Sequence, residues 1–273
     1  MTLADLVVDM ERLGDRELFR HRGEFRCYSW SYQRVATEAR RFAAYLQTRG
    51  VERGDRVMIW APNSPEWVVV FLGCLLAGAV PVPIDLRSRG QFLRNVQSQT
   101  AARLLFTTRF RPDPEIGIPA VYLEGFGEAL RDARPEQFRP VSTAEDDLAE
   151  ILYTSGTTGN PKGVMLTHRN LLSELEAFQP IVPPEPYYRF LSVLPLSHIL
   201  EQMGALLLPI SRGGSVVYVS ALRPSVLLEA LQEEHPNAII AVPRLLELLR
   251  DRALQDVGNA AIGRKLFERL LAA

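Results

Sequence analysis

Apolar and polar positions alternate along this chain in the rhythm of successive strands and helices. Residues 31–50 carry Val35, Ala39 and Phe42 at the spacing of one helical face, and Gly50 is a typical helix stop. Residues 56–61 form a short, nearly continuous apolar run, which is the pattern of a strand buried on both faces. Repeated units of this kind predict a mainly parallel sheet covered by helices on both sides.

The pattern divides into two series. In the first, the predicted strands are residues 56–61, 79–85 and 103–107, and the predicted helices are residues 31–50, 65–77 and 91–99. In the second, the predicted strands are residues 148–154, 190–194, 215–219 and 238–242, and the predicted helices are residues 170–178, 200–211, 225–235, 244–250 and 264–273. Residues 134–147 are rich in proline and charge, as linkers often are. We therefore predict an α/β fold of two stacked strand–helix units, with a first subdomain at residues 1–140 and a second at residues 141–273.

One apolar stretch is long enough to be considered as a membrane span, because residues 67–84 contain no charge over 18 positions. Ser64 is a good helix N-cap, Pro65 suits the first helical position, and Glu66 complements the helix dipole. Gly78 and two later prolines then end the helix well short of the thickness of a bilayer. The stretch predicts a buried helix that leads into a buried strand.

Composition narrows the classes of function. Apolar residues make up 47% of the 273 positions, and charged residues make up 23%, as in ordinary globular proteins. The formal net charge of −1 lacks the basic excess typical of nucleic-acid binding, so we expect no nucleic-acid partner. Cys27 and Cys74 suggest neither a disulfide framework nor a metal site, and the acidic residues near the start are unlike a signal peptide. We expect a cytoplasmic location.

The candidate chemistry lies in residues 154–163, which read TSGTTGNPKG between a predicted strand and a predicted helical segment. Three glycines would let the backbone turn tightly and bring N–H groups close to an anion; they are Gly156, Gly159 and Gly163. Hydroxyls that could donate to phosphate oxygens belong to Thr154, Ser155, Thr157 and Thr158. Lys162 adds a compact positive charge, and each charge-assisted hydrogen bond contributes about 1.5–3 kcal/mol. The segment therefore predicts a loop that binds polyphosphate.

This loop differs from the Walker A motif of P-loop nucleotidases. That motif has glycine directly before its lysine and serine or threonine directly after it, whereas Pro161 precedes Lys162 and Gly163 follows it. Lysine is also rare in the chain, because Lys162 and Lys265 are its only two lysines among 31 basic residues. Because arginine is the usual cation of this chain, a lysine in the loop indicates a site that suits a compact ammonium group better than a planar guanidinium group.

Residues 154–163 resemble the phosphate-binding motif of the adenylate-forming superfamily, which includes acyl-CoA synthetases, luciferases and the adenylation domains of peptide synthetases. Four more segments resemble parts of the same enzymes: 63–67 (NSPEW), 76–83 (LAGAVPVP), 194–198 (LPLSH) and 241–246 (AVPRLL). The LPLSH segment and the ILEQ that follows it are most similar to the long-chain fatty acid branch. The resemblance spans nearly the whole chain, and it implies an incomplete version of the large N-terminal domain of acyl-CoA synthetases.

The resemblance also implies a reaction in two steps. A carboxylic acid attacks the α-phosphorus of Mg²⁺-bound ATP to give acyl-adenylate and pyrophosphate, and the thiol of CoA then displaces AMP. By the same resemblance, the loop holds the β- and γ-phosphates, with Thr154 near the magnesium-bound pyrophosphate. Lys162 is then the catalytic residue that neutralises charge on the leaving group. The implied small molecules are ATP, Mg²⁺, CoA and the carboxylic acid.

The chain contains four histidines, and they have different predicted roles. The resemblance implies that His198 lies beside the pocket for the acyl carboxylate, and the alternative is a hydrogen-bonded histidine at a strand end. His168 is expected to begin a helix rather than to act as a base. His21 and His235 are expected at the surface.

The chain departs from the superfamily in its extent. Segments that reach adenine and ribose, the hinge, and the mobile C-terminal domain with its catalytic lysine have no counterpart here, and Lys265 lacks the motif around that lysine. We therefore expect a fragment that is poorly active alone, with a separate chain as one candidate source of the missing half. Peripheral membrane contact is an expectation by analogy with long acyl substrates. The alternatives are an adenylate-forming enzyme for an aryl or amino acid, a non-catalytic nucleotide-binding module, and an unrelated phosphate-binding α/β protein.

Overall fold

The computed structural model describes residues 1–22, 27–111, 114–154, 161–178, 180, 187–219 and 223–258. The strands are β1 (Glu17–Arg22), β2 (Cys27–Ser31), β3 (Arg56–Trp60), β4 (Val80–Pro83), β5 (Leu104–Thr107), β6 (Ala120–Tyr122), β7 (Leu148–Thr154), β8 (Lys162–Thr167), β9 (Arg189–Ser192), β10 (Ser215–Val219) and β11 (Ala238–Ile239). The helices are α1 (Asp5–Arg12), α2 (Tyr32–Thr48), α3 (Pro65–Leu76), α4 (Gly90–Thr100), α5 (Phe126–Ala129), α6 (His168–Phe178), α7 (Ile199–Gln202), α8 (Leu208–Arg212), α9 (Pro224–Glu234) and α10 (Pro243–Gly258). A π-helical turn, Met203–Leu207, joins α7 to α8.

These strands form two mainly parallel sheets and a hairpin. The four-stranded sheet has the order β4-β3-β5-β6, and all its pairs are parallel. The five-stranded sheet has the order β11-β9-β10-β1-β2, and only its β1–β2 pair is antiparallel. Strands β7 and β8 form an antiparallel hairpin that packs beside β4. The predicted α/β class with mainly parallel sheets is confirmed.

Helix α3 lies at the centre of the core. Every residue from Trp67 to Leu76 is buried, and the helix packs against α2. The helix ends before Gly78, whose φ of +68° lies in the left-handed region that favours glycine. The predicted buried helix and strand are confirmed, and within the described residues no helix is both long enough and apolar enough to cross a bilayer.

Replacing Ser64 by alanine is expected to lower the free energy of unfolding by about 1–2 kcal/mol. The Ser64 hydroxyl accepts a hydrogen bond from the backbone N–H of Trp67 at 3.1 Å, and Ser64 is only 2% exposed. Its loss would leave an N–H at the start of α3 without a partner in the core. Urea denaturation measures the change, and Ser142→Ala, at an exposed loop position, is the matched control. Equal stability of the two variants would contradict this capping role.

Strands β1 and β2 were not predicted, because their polar and charged residues interrupt the apolar pattern. Strand β1 instead gains its place by pairing with β10, which lies far along the chain, with Phe19 opposite Val216. The second sheet therefore contains strands from both sides of residue 140. The predicted division into residues 1–140 and 141–273 stays a prediction.

The predicted linker is attached to the first helical layer. The side-chain amide of Gln47 donates to the carbonyl oxygen of Arg139 at 2.8 Å, and its oxygen accepts from the Arg139 N–H at 3.1 Å. Phe138 packs against the core, and Arg53 pairs with Asp147. Residues 134–147 therefore connect the two series of strands and helices, and these contacts fix the segment to the rest of the fold.

Other elements also differ from the predictions. Strand β8 follows the phosphate loop where a helical segment was predicted, and the predicted helix at 200–211 is interrupted by the π-helical turn Met203–Leu207. The predicted strand at 238–242 is shorter, and the predicted helix at 244–250 is longer. The predicted helix at 264–273 lies outside the described residues, as does Lys265.

Candidate active site

The two ends of the predicted phosphate loop meet at one end of the β7–β8 hairpin. Strand β7 ends at Thr154, strand β8 begins at Lys162, and these two residues are direct register partners. Both are exposed. The hairpin therefore brings a hydroxyl and an ammonium group together where the loop leaves and re-enters the sheet. The predicted ligands Ser155, Gly156, Thr157, Thr158 and Gly159 lie outside the described residues.

A glutamine on helix α4 connects both sides of the loop. The hydroxyl of Tyr153 donates to Gln99 Oε1 at 3.0 Å, and Gln99 Nε2 donates to the carbonyl oxygen of Pro161 at 3.4 Å. The Tyr153 ring also meets Phe92 edge to face, with centroids 6.3 Å apart. Because Tyr153 precedes Thr154 and Pro161 precedes Lys162, these contacts hold both loop ends against α4.

Gly163 is closely packed within the hairpin. A Cβ at this position would lie 3.0 Å from Ile151 Cγ2 and 3.1 Å from Tyr153 Cζ. The sequence predicted that this glycine lies in a turn that binds an anion, whereas the structure places it in β8 opposite Tyr153. Its small size lets the Tyr153 ring lie across the strand beside the loop.

Gly163→Ala is expected to lower the free energy of unfolding by about 1–3 kcal/mol, because the Ile151 and Tyr153 side chains would have to move. Gly127→Ala is the matched control, since a Cβ there meets nothing within 4 Å. Thermal or urea denaturation of both variants measures the difference. A Gly163 variant as stable as the control would contradict the packing argument.

His198 lies immediately before helix α7, and its Nε2 is 3.3 Å from an Asp85 carboxylate oxygen. Burial opposes ionisation of Asp85, but hydrogen bonds from Arg87 outweigh it and lower the Asp85 pKa to about 2. Asp85 is therefore an anion that can hold the imidazole. The contact agrees with the hydrogen bond of the predicted alternative, but His198 precedes a helix rather than ending a strand. The role of His198 in binding an acyl carboxylate stays a prediction. Within the described part of the chain, no hydrogen bond or ion pair joins His198 to Thr154 or Lys162.

A cavity of about 370 Å³ lies beside this pair, where strands of both parallel sheets end. Its lining includes His21, Ala61, Asn63, Leu86, Ser197 and Val219. Crevices at the carboxyl ends of parallel strands are the usual ligand sites of open α/β sheets. Among the described residues, neither His21 Nδ1 nor Ser197 Oγ has a hydrogen-bond partner.

The other three histidines differ in how exposed they are and in what they contact. The prediction that His21 lies at the surface is wrong, because it is half-buried in β1, stacks on Tyr28 and has its pKa lowered by burial. His235 is exposed, as predicted. His168 begins α6, as predicted, and its Nδ1 accepts a hydrogen bond from the Leu3 N–H at 3.2 Å.

Two buried carboxyl groups lie close to these elements and were not identified from the sequence. Glu150, in the middle of β7, is fully buried, and burial raises its pKa to about 8. The side-chain amide of Gln202 favours the charged form of Glu150 and so partly opposes this rise in pKa. Gln202 Nε2 nevertheless donates to the carbonyl oxygen of Leu196 at 2.8 Å. Neither Glu150 oxygen has a hydrogen-bond partner among the described residues. Glu201 is also fully buried, and burial raises its pKa to about 7 against hydrogen bonds that favour the charged form. A charged residue inside an apolar strand was the available signal for Glu150.

The sequence profile of the AMP-binding enzyme family matches residues 8–269. The chain therefore belongs to the AMP-binding enzyme family, and the predicted resemblance is confirmed.

Several relatives refine this placement. Fatty acyl-CoA synthetase A of Dictyostelium discoideum is 30% identical over 92% of this chain and 41% of its own length. Human long-chain-fatty-acid–CoA ligase 1 is 29% identical over 88% of this chain and 39% of its own length. A feruloyl-CoA synthase of Amycolatopsis sp. is 31% identical over 84% of this chain and 46% of its own length. The chain thus spans less than half the length of these relatives.

Solved structures give the same fold. A fatty acyl-adenylate ligase of L. pneumophila, in complex with acyl adenylate and pyrophosphate, matches with a TM-score of 0.77 at 26% identity, over 87% of this chain and 44% of that one. The N-terminal domain of FACL13 from Mycobacterium tuberculosis matches with a TM-score of 0.82 at 24% identity, over 91% of this chain and 65% of that one. The fold is that of the N-terminal domain of such enzymes.

Proposed function

We propose that the protein activates a carboxylic acid with ATP, that the acid is a long-chain fatty acid, and that the acyl group passes through acyl-adenylate to CoA. The main support is the β7–β8 hairpin, which pairs Thr154 with Lys162 at the two ends of the phosphate-loop sequence. Family membership and the fatty acyl ligases among its relatives support the same chemistry.

In the first step, a carboxylate oxygen forms a bond to the α-phosphorus of ATP while the bond from that phosphorus to the bridging oxygen of pyrophosphate breaks. Negative charge grows on the departing pyrophosphate, and the Lys162 ammonium stabilises it. In the second step, the CoA thiol loses its proton, its sulfur bonds to the acyl carbon, and the bond from that carbon to the phosphate oxygen of AMP breaks. Binding and orienting the polyphosphate is the part of this sequence that we assign to the loop.

The described residues are compatible with Mg²⁺. Within the part of the chain that the structure describes, no group of three His, Cys, Asp or Glu side chains could hold a metal alone. Mg²⁺ commonly keeps several waters and uses one or two protein oxygens beside substrate phosphates, and the exposed Thr154 hydroxyl could supply one such oxygen. When bound, Mg²⁺ supplies Lewis-acid stabilisation of the phosphate oxygens.

An aryl acid is the second candidate substrate, because a feruloyl-CoA synthase is as similar to this chain as the fatty acid enzymes are. The two substrates differ in shape, since a fatty acid needs a long apolar channel and ferulic acid needs a flat pocket. The acid panel below distinguishes them.

Exchange of labelled pyrophosphate into ATP, with a panel of carboxylic acids, tests the proposal. We expect exchange with hexadecanoic acid and little exchange with ferulic or amino acids. We also expect the 273-residue chain to bind pyrophosphate, because the paired residues Thr154 and Lys162 lie in it. Exchange with ferulic acid only would replace the fatty acid by the aryl acid, and no exchange with any acid would overturn the proposed function.

A further inference from the structure

The segment at residues 193–198, which ends in His198, is held from one side by a single amide side chain. Asn63 Nδ2 donates to the Ser192 hydroxyl at 3.2 Å and to the carbonyl oxygen of Leu194 at 2.7 Å. Asn63 Oδ1 accepts from the Leu196 N–H at 2.9 Å. Asn63 follows strand β3 of the four-stranded sheet, so this side chain connects the two sheets at their carboxyl ends.

The other side of the 193–198 segment is held from helix α7. Glu201 Oε1 accepts from the Ser192 hydroxyl at 2.5 Å and from the Val193 N–H at 3.0 Å. Gln202 Nε2 donates to the carbonyl oxygen of Leu196 at 2.8 Å. Both polar backbone groups of Leu196 thus pair with side chains: its N–H donates to Asn63, and its carbonyl oxygen accepts from Gln202.

The bonds form one directed chain, from the Asn63 amide through the Ser192 hydroxyl to the Glu201 carboxyl group. Ser192 and Glu201 are almost completely buried. Glu201 Oε1 accepts two hydrogen bonds, whereas its Oε2 has no hydrogen-bond partner among the described residues. A buried chain of hydrogen bonds allows fewer alternative arrangements than apolar side chains, which could repack there. This chain of bonds therefore specifies the path of the segment more tightly than burial alone would.

We propose that Asn63, Ser192 and Glu201 are positioning residues that hold the 193–198 segment, and through it His198, in the geometry that receives the carboxylate of the acid substrate. This inference rests on the proposed function. The residues that flank the phosphate loop, Tyr153 and Pro161, are held separately by Gln99 on α4. We call the hydrogen bonds from Asn63 through Ser192 to Glu201 the relay. Loss of the relay should consequently weaken binding of the acid and leave binding of ATP unchanged.

The test compares four variants of the protein. Asn63→Asp removes the donors to Ser192 and Leu194 and keeps the oxygen that accepts from Leu196. Asn95→Asp, on helix α4, makes the same chemical change outside the relay and is the control. Glu201→Leu removes the acceptor for Ser192 and Val193, whereas Glu201→Gln keeps an oxygen in its place.

Two measurements are made on each variant: hydrogen–deuterium exchange of the peptide covering residues 193–198, and the separate KM values for acid and ATP in pyrophosphate exchange. For Asn63→Asp and Glu201→Leu we expect about tenfold faster deuterium uptake and about a tenfold higher KM for the acid, with the KM for ATP within about twofold of the parent. Glu201→Gln should restore most of both properties, and Asn95→Asp should match the parent protein.

Unchanged deuterium uptake in Asn63→Asp and Glu201→Leu would overturn the proposal, since the relay would not hold the segment. Faster uptake with an unchanged KM for the acid, or with equal rises in both KM values, would also overturn it. A parent protein that shows no exchange with any acid would instead overturn the proposed function, and with it the role of the segment in acid binding.

Discussion

Replacement of Glu150 by glutamine is expected to remove a loss of stability that the parent protein undergoes as the pH rises. Burial raises the pKa of Glu150 to about 8 in the folded protein, whereas a glutamate in the unfolded chain titrates near its ordinary value. Between these values the unfolded chain has lost its proton and the folded protein keeps it, so each step up in pH favours unfolding. The free energy of unfolding of the parent should therefore fall relative to the variant by up to about 1.4 kcal/mol per pH unit.

Below about pH 4.5 the carboxyl group is protonated in both states, and this pH-dependent difference vanishes. By pH 8 we expect it to amount to about 2–4 kcal/mol, because local relaxation and water entry reduce the full penalty of a buried charge. Urea denaturation at pH 5, 6, 7 and 8 measures it. A constant offset is expected in addition, because an amide and a protonated carboxyl group differ in the hydrogen bonds that they can form with Gln202.

Glu176→Gln, on the exposed face of helix α6, is the control for the loss of one carboxyl group. Glu201→Gln should act in the same direction as Glu150→Gln, over a window that ends near pH 7. Parallel stability curves for the parent and Glu150→Gln would show that Glu150 keeps an ordinary pKa, and the assignment of a neutral buried carboxyl group would then be wrong.

Replacement of Lys162 by alanine is expected to weaken binding of pyrophosphate and ATP by about 1.5–3 kcal/mol, which corresponds to roughly 10- to 150-fold. The physical reason is the loss of a charge-assisted contact at the point where the phosphate loop re-enters the sheet. Isothermal titration of the 273-residue chain with pyrophosphate measures this change without requiring turnover.

Two further variants make this measurement specific. Lys162→Arg keeps the charge but replaces a point charge by a planar fork, so we expect it to recover part of the affinity. Arg12→Ala removes an exposed cation on helix α1, and it should leave affinity unchanged. Equal losses in the Lys162 and Arg12 alanine variants would indicate a general charge effect, and unchanged binding in Lys162→Ala would remove Lys162 from the site.

The site could be predicted from sequence only where the signal was local. The residues of the phosphate loop stand together in the chain, so their glycines, hydroxyls and lysine were visible as a group. Asn63 and Ser192 lie far apart in sequence and meet only in the fold, where the amide of Asn63 reaches the Ser192 hydroxyl. No spacing rule connects them, and the same is true of His198 and Asp85.

The sequence by itself determined the elements whose pattern is local. Strands β7 and β10 have the predicted bounds, because each is an apolar run closed by polar or glycine residues. Helix α3 was also specified locally, by Ser64 and Pro65 at its start and Gly78 after its end.

Only the tertiary structure decided which polar sequences became strands and which charged groups became buried. Strand β1 exists because β10 offers it hydrogen-bonding partners, and β8 exists because the chain returns alongside β7 after the loop. Glu150 is enclosed by its surroundings, and its raised pKa follows from that enclosure rather than from its neighbours in sequence. Backbone pairing and desolvation depend on which distant segments come together, and a local pattern carries no record of that.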